Sequence, residues 1–317
     1  MVKRANQNTK KGSRCRIQAT CTAIGVSKTY QGHPTEIGSK AMTFDKHLIF
    51  QLNGMQHVKS ELEEELREFT VCNQQIKHFR FLMKGPIGAG KSSFVNSIDS
   101  AFQNRVTNKA IASSSSNVSC TRIYRPYKIK DGNSGTLSFM FYDTMGVEDG
   151  KEDGIHLEDL KSALRGNLPD EYKFNPRGHL TPEDPHFNNK PSMEERTHCL
   201  ICVVSANSIS QISDEIFEKL NLNFRHATDI GIPQVVIMTM IDQVCPLVKK
   251  DLRNVYTSKK IKEKMMVCSD RLSIPMTCIF PVKNYYEEIE TNNDMDVLLL
   301  SALKQILHFA NDYTDKL

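Results

Sequence analysis

The chain has 317 residues, 39% hydrophobic and 25% charged, with a formal net charge of +4. That length suits one large domain or two small ones, and the charge is too small to call for a nucleic-acid partner, so no DNA is expected. No apolar run approaches the about 18 residues of a membrane span, and Lys3, Arg4, Lys10 and Lys11 precede no apolar core, so neither a transmembrane segment nor a secretory signal is expected.

Residues 1–57 are polar, with Glu36 the first acidic residue, and read as a mostly flexible basic tail with one short strand at Phe44–Leu52. Residues 58–317 carry the pattern of one α/β domain. Ser60–Phe69 reads as a helix, with Leu62, Leu66 and Phe69 on one stripe and Ser60 before Glu63 as a capping box. Phe79, Phe81 and Met83 then alternate with Arg80, Leu82 and Lys84 as in a strand. Gly85 to Ser92 match G-x-x-x-x-G-K-[ST], and Phe94, Ile98 and Phe102 follow at helical spacing. Ala110–Asn117 is a serine-rich loop. Thr121–Ile129 and Thr136–Tyr142 read as a hairpin joined by Lys-Asp-Gly-Asn-Ser-Gly, and Asp143-Thr-Met-Gly146 closes its second strand.

Val147–Arg196 is rich in Asp, Glu, Pro, Gly and His, with a helix at Leu157–Leu164 and little else regular; segments of this kind are usually functional or mobile. Its His179 and His186 lack ligand spacing and read as surface residues. Strands return at Cys199–Ser205, Gln234–Ile241 and Pro275–Val282, alternating with helices at Ser213–Arg225, Ser258–Leu272 and Asp294–Tyr313. Cys199 and Cys202 form the only C-x-x-C pair among nine cysteines. An odd separation in a strand sends them to opposite faces, so they read as reduced core thiols of a cytoplasmic protein. The whole pattern predicts a mixed, mostly parallel sheet with helices on both faces.

The chemistry follows from the loops at the strand ends. Gly85, Gly88 and Gly90, with Ile87, Ala89 and Ser93 between and after them, let successive backbone N–H groups face a polyphosphate at a helix start. Lys91 would stabilise the phosphates, and the Ser92 hydroxyl would ligate Mg²⁺. Asp143 offers a carboxylate to the metal, and Gly146 a backbone N–H to the γ-phosphate. Such a loop alone does not choose between ATP, GTP and kinase chemistry. Thr239-Met-Ile-Asp242 resembles the [NT]-K-x-D motif, in which Asp242 would accept the guanine N1 and N2 hydrogens. Pro281-Val282-Lys283 stands where S-A-K is expected, with the Val282 N–H near guanine O6 and the Lys283 stem over the ring. Thr121 is the best candidate for a further Mg²⁺ ligand that senses the γ-phosphate, in competition with Ser113–Ser116.

The chain resembles the interferon-induced protein 44 family. The resemblance is carried by Phe81-Leu82 leading into Gly-Pro-Ile-Gly-Ala-Gly-Lys-Ser-Ser-Phe, by Tyr-Asp-Thr-Met-Gly-Val-Glu and by Leu-Pro-Asp-Glu-Tyr-Lys-Phe-Asn-Pro. It continues through Pro-Ser-Met-Glu-Glu-Arg-Thr-His-Cys, Pro-Val-Lys-Asn-Tyr and Asp-Val-Leu-Leu-Leu-Ser-Ala-Leu-Lys-Gln-Ile-Leu, covering Glu61 to the C-terminus. It implies a P-loop GTPase-like three-layer sandwich over residues 58–317, with a long insertion at about 147–196. It also implies a cytoplasmic, interferon-induced protein of the immune and antiviral response that binds GTP or GDP with Mg²⁺. A protein partner, or self-association through the switch segments, is expected with it.

The motifs also depart from the usual pattern. Met240 replaces the motif lysine, Val147 stands where a water-orienting glutamine is common, and Ile87 adds bulk beside the γ-phosphate position. No arginine stands out as an internal finger. Hydrolysis is therefore expected to be slow or partner-dependent, and a degenerate GTPase serving as an interaction module is the alternative.

Overall fold

The computed structural model describes residues 55–110, 123–132, 135–147, 155–175 and 178–317. The expected strand at Phe44–Leu52, the Ser113–Ser116 run and Thr121 lie outside the described residues. In chain order the main elements are α1 (Met55–Arg67), β1 (Phe79–Lys84), α2 (Lys91–Gln103), β2 (Ile123–Tyr124), β3 (Pro126–Lys130) and β4 (Thr136–Asp143). Then come α3 (Leu157–Arg165), β5 (Tyr172–Lys173), β6 (Cys199–Ser205), α4 (Asp214–Asp229) and β7 (Gln234–Thr239). The chain ends with α5 (Ile241–Val244), α6 (Pro246–Lys250), α7 (Lys259–Leu272), β8 (Ile279–Pro281) and α8 (Asn293–Thr314).

Six strands form one sheet in the order β3-β4-β1-β6-β7-β8. All neighbours are parallel except β3, which pairs antiparallel with β4 as the first half of the expected hairpin. β6 is buried along its whole length, as its unbroken apolar run requires of a central parallel strand covered on both sides. Cys199 and Cys202 are free thiols inside it, and burial raises the Cys202 thiol to about 12.

Side-chain alternation along β1 sorts the two faces. Phe79 and Phe81 belong to the side of α1, α2 and α8, where Phe94 of α2 meets Phe141 of β4 edge-on at 5.9 Å. Arg80, Leu82 and Lys84 belong to the other side, with α4 and α7, where the Arg80 guanidinium lies over Tyr142 at 5.2 Å. The result is the expected mixed α/β sandwich.

The strand expected over Gln234–Ile241 ends at Thr239, where Met240 turns the chain into α5, and three further elements differ from expectation. The helix before β1 starts at Met55, so Ser60 lies inside it rather than capping it; Val58 extends the apolar stripe of Leu62 and Leu66 by another turn. The strand expected over Thr121–Ile129 is two: Ile123–Tyr124 leaves the main sheet and pairs with β5 in a separate ribbon. The strand expected over Pro275–Val282 contracts to Ile279–Pro281, because Met276–Cys278 winds into a 3-10 turn first.

The described part of the 147–196 segment is more ordered than its composition suggests. Its Leu160, Ala163, Leu164, Leu168, Phe174 and Leu180 are buried. Asp159 at 0% exposure accepts the Tyr172 hydroxyl at 3.2 Å and the Leu180 N–H at 2.8 Å, which pins α3 to the chain that follows.

Candidate functional site

β1, β4, β6, β7 and β8 run parallel, so their C-terminal ends open onto one edge of the sheet. β1 has β4 on one side and β6 on the other, and the chain visits them in turn. Such a switch point forms a crevice where ligands bind in open α/β sheets. The loop from Gly85 to Gly90 sits there. Gly90 caps α2 with φ of 92° and no side-chain cap. A Cβ at Gly90 would stand 2.9 Å from the Asn284 amide nitrogen, so both conformation and space call for glycine. The first turn of α2 thus starts without a side-chain cap, the kind of helix start whose N–H groups suit an anion.

Lys91 is 8% exposed and folds back on the loop, donating to the Gly85 and Pro86 carbonyls at 3.1 and 3.0 Å. Burial lowers its pKa, and the Asp143 carboxylate opposes that shift. The Ser92 hydroxyl donates to Asp143 Oδ2 at 2.5 Å, which joins the two proposed metal ligands directly.

The segment after β4 is laced to the Gly85–Gly90 loop and the end of β1. The Thr144 hydroxyl donates to the Met83 carbonyl at 2.6 Å. Val147 N–H donates to the Gly85 carbonyl at 3.0 Å, and Ile87 N–H to the Val147 carbonyl at 3.4 Å, a parallel bridge that carries the β1–β4 pairing past Met83–Asp143. Gly146 packs on Ile87 so closely that a Cβ there would lie 2.9 Å from the Ile87 Cα and N. Lys84, at the end of β1, is 4% exposed and donates to the Met145 carbonyl at 3.4 Å.

The base-side motifs meet the same loop. The Thr239 hydroxyl donates to the Ala89 carbonyl at 2.7 Å. Met240 adopts φ of 56° and turns the chain, with its sulfur accepting from the Ser205 hydroxyl at 3.2 Å. Asp242 follows in the first turn of α5, half-buried. The Asn284 amide donates to the Gly90 carbonyl at 3.0 Å and ties the β8 loop to the start of α2. One detail differs from expectation. The Val282 N–H donates to the Met238 carbonyl at 2.8 Å, so this amide is committed to the sheet rather than turned toward a purine O6. The Lys283 ammonium pairs with Glu288 at 2.6 Å, which fixes its head beside the β8 loop.

Direct contacts therefore gather Gly85, Ile87, Ala89, Gly90, Lys91, Ser92, Asp143, Gly146 and Thr239, while Gly88, Val282 and Lys283 stand on the same loops and Ser93 and Asp242 in the first turns of α2 and α5. Sequence reading missed Lys84, Thr144 and Asn284. Each adjoins a recognised motif, but only burial and partners distinguish it from an ordinary polar neighbour. Among the described residues no group of three or more His, Cys, Asp or Glu is placed to hold a metal, and exposed His179 stacks on His156 at 4.5 Å. A metal fits at Ser92 and Asp143 only as P-loop proteins hold Mg²⁺, by a hydroxyl and a carboxylate together with phosphate oxygens.

No protein-family model matches the chain. Among curated proteins it is 34% identical over 260 residues to human (Homo sapiens) interferon-induced protein 44-like, covering 82% of this chain and 57% of that protein. It is 32% identical over 268 residues to human interferon-induced protein 44, covering 84% of this chain and 60% of the relative. The mouse (Mus musculus) protein 44 is 31% identical over 265 residues, covering 83% and 62%. The chain thus spans about three fifths of the length of these relatives.

Solved structures with a similar course include an Aquifex aeolicus Era bound to GDP and AlF4⁻, at TM-score 0.38 and 15% identity, covering 74% of this chain and 57% of that one. A probable GTP-binding protein engB matches at TM-score 0.39 and 10% identity, covering 72% and 98%. At such scores the likeness adds nothing to the strand order and loop contacts described above. On the homology with the curated proteins, the chain belongs to the interferon-induced protein 44 family.

Proposed function

We propose that the chain binds a guanine nucleotide with Mg²⁺ and acts as a switch in the interferon-induced immune and antiviral response, in the cytoplasm. The GTPase-like domain expected over residues 58–317, with the insertion at about 147–196, would begin with α1 at Met55, which moves its boundary with the expected 1–57 tail to residue 54. The observation that supports this most is the direct Ser92–Asp143 contact at 2.5 Å beside buried Lys91, with Thr239 bonded to the same loop at Ala89.

In this reading the backbone of residues 85–93 and the Lys91 ammonium hold the phosphates. Ser92 and Asp143 hold Mg²⁺, and Thr121 would add a further ligand. When bound, the ion neutralises charge on the β- and γ-phosphates. The Gly146 N–H serves the terminal phosphate. Asp242 selects guanine because its carboxylate matches two ring donors that adenine does not present together. The Lys283 stem covers the ring, and Val282 contributes as a wall of the pocket rather than as a donor. Valine at 147 cannot orient water, so turnover is slow or awaits a partner that binds the segments following Gly146.

Calorimetric titration with GTP, GDP and ATP in Mg²⁺ tests this reading. GTP and GDP are expected to bind more tightly than ATP, and Asp242→Ala to erase the difference. Equal affinities for GTP and ATP in the unmodified protein would end the guanine assignment. A second reading, an interaction module without turnover, is favoured by Val147 and by its backbone pairing with the phosphate loop. Single-turnover phosphate release that is unchanged by Lys91→Ala would select it.

A further inference from the structure

We propose that Lys84 is a positioning residue that readies the Gly146 amide for the terminal phosphate of a nucleoside triphosphate, an inference that rests on the nucleotide reading above. Lys84 closes β1 on the side opposite Phe79 and Phe81 and is 4% exposed. The preceding Phe81, Leu82 and Met83 are fully buried apolar residues, so an apolar side chain would have suited this place in the core. Among the described residues no carboxylate lies within ion-pair distance of its ammonium. Its hydrogen bond runs to the Met145 carbonyl at 3.4 Å.

That carbonyl and the Gly146 N–H are two ends of one planar trans peptide, so they point in opposite directions. A cation behind the oxygen draws electron density through the amide and makes the N–H on the far side a stronger donor. Lys84 therefore stands behind the loop and acts through it, without touching phosphate. A terminal phosphate in front of Gly146 adds negative charge to this neighbourhood and favours the charged lysine in return.

The surroundings make that exchange consequential. Burial, then Lys91 of α2, and last Lys219 of α4 lower the Lys84 pKa to about 7, while Cys202 of β6 opposes them. Near neutrality the side chain is thus only partly charged, and a triphosphate would draw a proton onto it. A diphosphate lacks the group that reaches Gly146 and would do so less. Lys91 also has a lowered pKa, but it serves the phosphates common to both nucleotides, so its titration largely cancels from the ratio of their affinities.

The test compares the full chain with Lys84→Met and Lys84→Gln by calorimetry, using the β,γ-imido analogue of GTP and GDP with Mg²⁺, alongside thermal melts. Lys84→Met is expected to melt at or above the unmodified temperature, because it removes a desolvated charge. Its GDP affinity should hold within about twofold while the triphosphate analogue loses roughly tenfold or more, the scale of a hydrogen bond to a charged group. Lys84→Gln, which keeps a neutral donor, should fall between the two.

In the unmodified protein the triphosphate preference should decline from about pH 6 to about pH 8.5 and should stay level in Lys84→Met. A parallel loss for both nucleotides with a lowered melting temperature, or an unchanged preference in both variants, overturns the role of Lys84. An unmodified protein that binds neither nucleotide overturns the nucleotide reading itself, and this inference with it.

Discussion

His198 shows how one buried side chain sets a pH limit on the fold. It immediately precedes β6 at 1% exposure, with Nδ1 accepting the Arg80 N–H at 2.8 Å. Nε2 lies 3.0 Å from the Met193 carbonyl, so the neutral Nε2–H tautomer satisfies both partners. Burial lowers its pKa to about 4, with Arg80 adding to the shift and the Met193 hydrogen bond opposing it. Between the unfolded value near 6.5 and that folded value, the unfolded chain binds a proton that the folded chain refuses. Stability therefore rises with pH across this window and falls on acidification, at up to about 1.4 kcal/mol per pH unit. Urea unfolding from pH 7 to pH 4.5 should show this slope, and His198→Gln should flatten it. An equal slope in the variant would assign the acid sensitivity to other groups.

At the scale of elements, α1 and α8 are joined through charges rather than only through their apolar stripes. Lys59 of α1 reaches Asp296 of α8 at 2.8 Å, and the Tyr285 hydroxyl donates to the same carboxylate at 2.7 Å. Asp296 is 0% exposed and the Lys59 side chain 9%, so neither can turn to water if its partner is lost. Asp296→Ala should cost about 3 kcal/mol or more in denaturant unfolding, because it strips a buried cation of its closest counter-charge. A loss below about 1 kcal/mol would mean that the pair is effectively solvated.

The same scale separates what the sequence made legible from what it hid. β1, β6, β7, α7 and α8 are readable because their apolar runs are long and bounded by caps or glycines. Ser258 does cap α7, accepting the Ile261 N–H. The break between β2 and β3 is not readable, since only the pairing of Ile123 with Lys173 separates two stretches of equal strand character. In the site, that the four motif loops end parallel strands of one sheet is readable from their order along the chain. Lys84 looks like a polar strand end until its burial is known, and the Val282 amide seems available until the ladder to Met238 uses it.

At the scale of the whole molecule, the site is held by segments from nearly the full described chain, from Gly85 to Asn284. A ligand that binds there should therefore stabilise the domain as one unit. Mg²⁺ and GTP at about one hundred times the dissociation constant should add about 2.7 kcal/mol, read as a raised melting temperature, and Lys91→Ala should abolish the shift. A shift that persists in Lys91→Ala would place the ligand elsewhere. The homology covers about three fifths of the relatives' length, so this behaviour is expected of the domain and carries no expectation for their remaining sequence.

The rung between Gly85 and Val147 has a mechanical consequence. It continues the weave of the sheet beyond its last full strand pair and stitches the segment after β4 to the first glycine of the Gly85–Gly90 loop. A tug on residue 147, from a neighbouring protein or from chemistry inside the crevice, is delivered to that glycine by main chain alone. The two segments are yoked, and neither can shift far without breaking a stitch.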